Sequence, residues 1–220
     1  MFAPVKAVIF DMDGVLIDSE PLWRKAMIIG FNELGVTFTD DDCRKTTGMR
    51  FREVVEIWLE HFKIAHTTPP QLEDRVLSIL TQLILEEGKA IDGALDIFKF
   101  CREKNLKVGL ATSSSTRLVN AVLKKLQLEN SFDAVVSAEK MTYGKPHPEV
   151  FLVCATMLNI KPYECVIIED SLNGVVAAKA AQARVFAVPD AEHRHMKGFA
   201  VADWQCENMR GVLRHFKEMI

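Results

Sequence analysis

No run of apolar residues in this 220-residue chain approaches the roughly 18 that cross a bilayer, so a membrane-spanning helix is not expected. The N-terminus passes directly into an apolar stretch without the pattern of a secretory signal, and a soluble, cytoplasmic protein is expected. Cysteine is scarce: Cys43, Cys101, Cys154, Cys165 and Cys206 are odd in number and include no Cys-x-x-Cys. That argues against a disulfide framework and a zinc ribbon, and suits a reducing compartment. A surplus of either charge is also missing, since 27 basic and 30 acidic residues leave a net charge of −3. Neither a nucleic acid nor an anionic membrane is therefore expected as a partner, and any anionic ligand has to be held locally by a metal, a lysine or helix N-termini.

Several site motifs are absent too. There is no Gly-x-Gly-x-x-Gly for a dinucleotide and no His-Glu-x-x-His for zinc. Gly144-Lys145 is followed by Pro146 and not by the Ser or Thr of a phosphate-binding P-loop. A calcium loop starting at Asp11 fails at its fifth and twelfth positions, Val15 and Leu22. His193 and His195 lie in a charged stretch that reads as solvated loop. Internal repeats and low-complexity segments are also missing.

What is present is a folded composition, 49% hydrophobic and 26% charged, with two successive patterns. A first apolar strand, 5–10, is followed only by helical signals: Ser19 as a cap with Pro21 in the first turn and a stop at Gly35, a short helix capped at Thr39, then helical spacing over 50–63 and 70–87. From Asp92-Gly93 onward helices (93–104, 116–127, 148–159, 172–182) alternate with short apolar strands (107–111, 134–137, 165–168, 184–188). Short apolar strands between helices imply a parallel sheet covered on both faces. The expected fold is α/β, a Rossmann-like parallel sheet core over 1–17 and 91–220, with an α-helical cap domain over 18–90 inserted after the first strand.

Ligands of open parallel sheets sit beyond the carboxyl ends of the strands. The first strand runs into Asp11-Met12-Asp13-Gly14, the strand at 107–111 into Thr112-Ser113-Ser114-Ser115, and the strand at 165–168 into Glu169-Asp170, while Lys145 follows the strand near 135. Each has a plainer explanation taken singly: Asp-Gly makes turns, Thr112, the serines, Asp170 and Ser171 can cap helices, and Lys145 can be a solvated loop residue. Taken together, capping does not call for two acid clusters facing a lysine, and crowded carboxylates ask for a divalent cation.

Asp11-x-Asp13-Gly14, Thr112, Lys145-Pro146 and Glu169-Asp170-Ser171 with Gly174 resemble the four ordered motifs of the haloacid dehalogenase superfamily, and the helical segment matches the place of its first type of cap. Ile17-Asp-Ser-Glu-Pro-Leu-Trp23, Ser131-Phe-Asp-Ala134, Ser137-Ala-Glu-Lys140 and Lys145-Pro-His-Pro148 further resemble its β-phosphoglucomutase-like subgroup, in the branch of hexitol and 2-deoxyglucose-6-phosphate phosphatases. The resemblance implies a phosphatase of small sugar or polyol phosphates. Asp11 would be the nucleophile that becomes an aspartyl phosphate, and Asp13 the acid and base. Thr112, Ser113 (through its amide) and Lys145 would bind phosphate. Mg²⁺ would be held by Asp11, the backbone carbonyl of Asp13 and Asp170, with Glu169 bonding to its waters.

Spacing agrees with two neighbouring roles, because residues two apart on a strand point the same way. An acid at 13 also separates this chain from the dehalogenases, which need neither that acid nor a metal. Nothing around Lys25 suggests the depressed pKa of a Schiff-base lysine. For the cap, Glu20, Trp23 and Arg50 are the expected substrate contacts, although Trp23 also suits a bundle core and Arg50 a surface. A sugar-phosphate mutase remains the alternative, although by resemblance that enzyme has a His at the place of Trp23 and an Arg at the place of Phe51. A binding protein on a retained scaffold is the other reading. The partner is expected to be a small phosphorylated metabolite, and the protein a monomer.

Overall fold

The structure is a computed structural model and describes residues 3–46 and 51–219. The chain folds as two compact units, one made of 1–18 with 89–220 and the other of 19–88.

In the first unit, strands β1 (Ala7–Phe10), β2 (Lys107–Thr112), β3 (Ala134–Ser137), β4 (Cys165–Glu169), β5 (Arg184–Ala187) and β6 (Trp204–Gln205) form one parallel sheet in the order β3-β2-β1-β4-β5-β6. β1 is central, with Phe10 paired to Leu110 on one side and to Ile168 on the other. Its four residues are wholly buried, as a strand covered on both faces requires. Alternation sends Ile9 into a cluster with Ala111, Phe151, Cys154, Ile167 and Val175, where helices α7 (Glu149–Leu158) and α8 (Leu172–Ala180) pack. Phe10 instead meets Phe98 and Phe132, at 6.3 and 6.4 Å between ring centroids. Helices α5 (Ala94–Glu103), α6 (Thr116–Lys125) and α9 (Met209–Met219) complete this unit.

The second unit holds α1 (Glu20–Asn32), α2 (Asp40–Lys45), α3 (Phe51–His61) and α4 (Pro69–Glu87). Phe31, Phe38 and Trp58 form its aromatic centre, with centroids 4.4 and 5.1 Å apart. α2, only six residues long, is held by a reciprocal capping box between Thr39 and Asp42.

Three sequence expectations are corrected. Ser19 stands before α1 but makes no side-chain cap bond. β2 and β4 each extend one residue further than expected, taking in Thr112, which pairs with Ser137 of β3, and Glu169, which pairs with Ala187 of β5. β6 and α9 were not expected at all: β6 is a two-residue strand, and α9 follows a turn-rich stretch. The segment around His193 is a turn as expected, with the Asp190 carboxylate accepting from the His193 backbone N–H. Among the described residues no helix is long and apolar enough to cross a membrane.

Candidate active site

The site is built on four strand ends of the first unit. Asp11 follows β1 and keeps its backbone paired, its N–H donating to the Ile168 carbonyl at 3.0 Å, so its side chain is aimed by the sheet itself. The loop then winds tightly: Leu16 N–H donates to the Met12 carbonyl and Gly14 N–H to the Ile17 carbonyl. Gly14 has φ +73°, and a Cβ there would stand 2.1 Å from an Asp170 carboxylate oxygen. Glycine is required both by that dihedral and by the approach of Asp170.

Lys145 arrives from the loop after β3, its side chain almost wholly buried. Its ammonium donates to Asp11 Oδ1 at 2.7 Å and also to Glu169 Oε1, and it lies 4.9 Å from the centre of the Phe151 ring. Glu169, the last residue of β4, is fully buried. Its other oxygen accepts from the backbone N–H and the hydroxyl of Ser171, both at 3.0 Å, while the Ser171 hydroxyl accepts from Gly174 N–H and so caps α8. Both Glu169 oxygens are thus bonded to protein groups, and the residue fixes Lys145 to the first turn of α8.

Thr112, 1% exposed, ends β2 one strand over from Asp11. Its Oγ1 accepts from Ser114 N–H at 3.1 Å, which leaves the hydroxyl proton available to donate. Ser113 is exposed, with its amide at the same strand end. Ser114 was not singled out by sequence: its hydroxyl donates to Asp13 Oδ2 at 2.6 Å. The run of hydroxyl residues was visible, but which of them reaches Asp13 depends on the conformation of the loop.

Oxygen atoms of Asp11, Glu169 and Asp170 lie within 4.8 Å of one another. Burial, reinforced by Glu169 and Asp13 and opposed by Lys145, pushes the Asp11 carboxyl up to about 7. Burial also drives Asp170 well above the ordinary carboxylate range, with Glu169 and Asp11 adding to it. For Lys145 burial disfavours the charge, but Asp11 and Glu169 outweigh it and hold the ammonium above its usual value. Three clustered carboxyls, two of them bonded to one ammonium, form a hard oxygen donor set whose crowding a divalent cation of the Mg²⁺ kind would relieve.

The structure therefore brings Asp11, Asp13, Thr112, Ser113, Lys145, Glu169 and Asp170 to one sheet edge. Glu20 and Trp23 belong to the helical unit. Glu20 is exposed and pairs with Arg24 at 2.5 Å, and Trp23 packs edge-on against Phe51 with centroids 5.2 Å apart. Arg50 lies outside the described residues.

Residues 8–188 match the family model for haloacid dehalogenase-like hydrolases. The chain is 39% identical over 200 residues to hexitol phosphatase B of Escherichia coli (strain K12), covering 90% of each protein. It is 36% identical over 177 residues to a phosphorylated carbohydrates phosphatase of Thermotoga maritima, covering 80% of this chain and 82% of that one. The solved structure of CbbY from Rhodobacter sphaeroides in complex with phosphate is similar at a TM-score of 0.84 and 26% identity, over 93% of this chain and 95% of that chain.

Proposed function

The chain belongs to the haloacid dehalogenase-like hydrolases, and from that premise we propose that it is a Mg²⁺-dependent phosphatase of small sugar or polyol phosphomonoesters, acting through an aspartyl phosphate on Asp11. The observation that carries this reading is the buried contact of Lys145 with Asp11 at 2.7 Å, within a cluster of carboxylates and two residues from a second acid. The hexitol phosphatase and carbohydrate phosphatase relatives support the substrate class.

In the first half-reaction a carboxylate oxygen of Asp11 attacks phosphorus and the bond from phosphorus to the sugar oxygen breaks. That oxygen takes the proton of the Asp13 carboxylic acid. In the second half, Asp13, now a carboxylate, takes a proton from water as the water oxygen attacks the aspartyl phosphate. The bond from phosphorus to Asp11 breaks, returning Asp11 as a carboxylate with inorganic phosphate. The Lys145 ammonium, the Thr112 hydroxyl and the Ser113 amide hold the phosphoryl oxygens, where positioning and charge stabilisation supply most of the acceleration. Asp11, the Asp13 carbonyl and Asp170, backed by Glu169, would hold Mg²⁺, which would supply the positive charge that keeps Asp11 ionised and balances the phosphoryl group.

Glu20, Trp23 and Arg50 are proposed as contacts for the sugar or polyol. A hydrolase is favoured over a mutase because Trp23 and Phe51 form an aromatic pair where a resembling mutase carries His and Arg. The protein is proposed to act as a cytoplasmic monomer. Purified protein screened against hexitol and hexose phosphates, with Mg²⁺ and with chelator, tests the whole reading: Mg²⁺-dependent release of phosphate is expected. Conversion of a sugar phosphate to its isomer without release would point to a mutase, and inactivity on every ester to a binding protein.

A further inference from the structure

We infer that Ser114 is a positioning residue for Asp13: its hydroxyl, by donating to Oδ2, sets the orientation in which the Asp13 carboxyl meets the substrate. The inference rests on the acid–base role proposed above for Asp13.

Asp13 lies beyond the end of β1, on the loop that turns at Gly14, and is only partly buried. A carboxyl turned the wrong way cannot pass a proton to the substrate, and the 2.6 Å bond from the Ser114 hydroxyl to Oδ2 holds the carboxyl in one rotation.

The serine is itself braced. Its N–H donates to Thr112 Oγ1 at 3.1 Å and its carbonyl accepts from the Ser137 hydroxyl at 2.6 Å. Ser137 Oγ in turn accepts from Glu139 N–H, and the Glu139 carboxylate accepts from the Thr116 amide and hydroxyl at 3.1 and 2.8 Å. The loops after β2 and β3 are thus stitched together on both sides of Ser114. A side chain held this way can impose an orientation on the carboxyl it bonds. The same serine also orders the Thr112 hydroxyl through its amide.

The test compares Ser114→Ala and Ser114→Thr with the wild-type enzyme in Mg²⁺, on a hexitol phosphate and on p-nitrophenyl phosphate. A sugar alkoxide needs a proton to leave and nitrophenolate needs it far less. Ser114→Ala should lose about 10-fold or more in kcat on the hexitol phosphate, with KM changed by less than about 3-fold, while its single-turnover nitrophenolate burst stays within about 3-fold of wild type. Ser114→Thr keeps the hydroxyl and should recover most of the loss. A crystal structure of Ser114→Ala should show the Asp13 carboxyl rotated or spread over several rotamers. Equal loss on both leaving groups, or no loss on either, overturns the inference while leaving the phosphatase reading intact. A wild-type enzyme inactive on both esters overturns the two together.

Discussion

Asp11 and Asp13 are separated by a single residue and live in different surroundings, and the difference matches the division of labour proposed for them. Asp11 is buried, pinned by the sheet and faced by an ammonium, which suits a group that attacks from a fixed position. Asp13 is partly exposed and held by a hydroxyl, which suits a group that gains and loses a proton. Asp13→Asn should therefore slow hydrolysis of a sugar phosphate by about 10²–10⁴. With p-nitrophenyl phosphate the same variant should give a burst of one nitrophenolate per enzyme and then stall, because the aspartyl phosphate lacks a base to activate water. Stopped-flow absorbance reads both phases, and the absence of a burst would remove Asp13 from the second half-reaction. Asp170→Ala should weaken Mg²⁺ activation more than Glu169→Ala, since both Glu169 oxygens are already bonded to protein groups. Mg²⁺ titrations of activity compare the two, and equal weakening would contradict that assignment.

At the scale of elements, α8 does more than cover the sheet. A Cβ on Gly174 would stand 1.8 Å from Glu169 Oε1, so this helix approaches the site as closely as it does only because residue 174 has no side chain. Gly174→Ala should displace Glu169, loosen Lys145 and lower kcat by about 10-fold or more. It should also lower the melting temperature, as crowding a packed interior does. Unchanged kinetics and melting would show that the first turn of α8 yields freely. Elements with strong local signals were legible in sequence. Strands β1 to β5 are short apolar runs between turn residues, and the strand-end rule then collects Asp11, Thr112, Lys145 and Glu169 without knowledge of their contacts. β6 escaped because two residues, Trp204 and Gln205, carry no period, and because its place is set by pairing with Phe186 and Ala187. α9 carries a legible Val212 and Phe216 spacing, but the turn-rich stretch before it hid its start. The hydrogen bonds of Ser114 and Ser171 were not legible, since they depend on loop dihedrals and not on residue type alone.

For the whole molecule, the buried carboxylates tie stability to pH and would tie it to the proposed cation. With no metal bound, Asp11 is raised to about 7 and Asp170 is raised as well, against about 3.9 for an aspartate in an unfolded chain. Between those values the native state binds more protons than the unfolded state. The Asp11 contribution to stability is therefore present at acid pH and lost as pH rises through about 7, and the raised Asp170 carboxyl acts in the same direction. A cation that binds the ionised carboxylates acts in the opposite direction. The rise in melting temperature produced by saturating Mg²⁺ over chelator should be larger at pH 8 than at pH 5, and equal rises would count against a carboxylate-bound cation. The central claim is that phosphorus passes through Asp11. The direct measurement is to load the stalled Asp13→Asn variant with p-nitrophenyl phosphate and Mg²⁺, quench in acid, reduce with borohydride and locate the modified residue by peptide mass spectrometry. The account predicts reduction of an acyl phosphate at Asp11, absent from the Asp11→Asn, Asp13→Asn double variant; a phosphoryl group on any other side chain, or none on the protein during the burst, would contradict it.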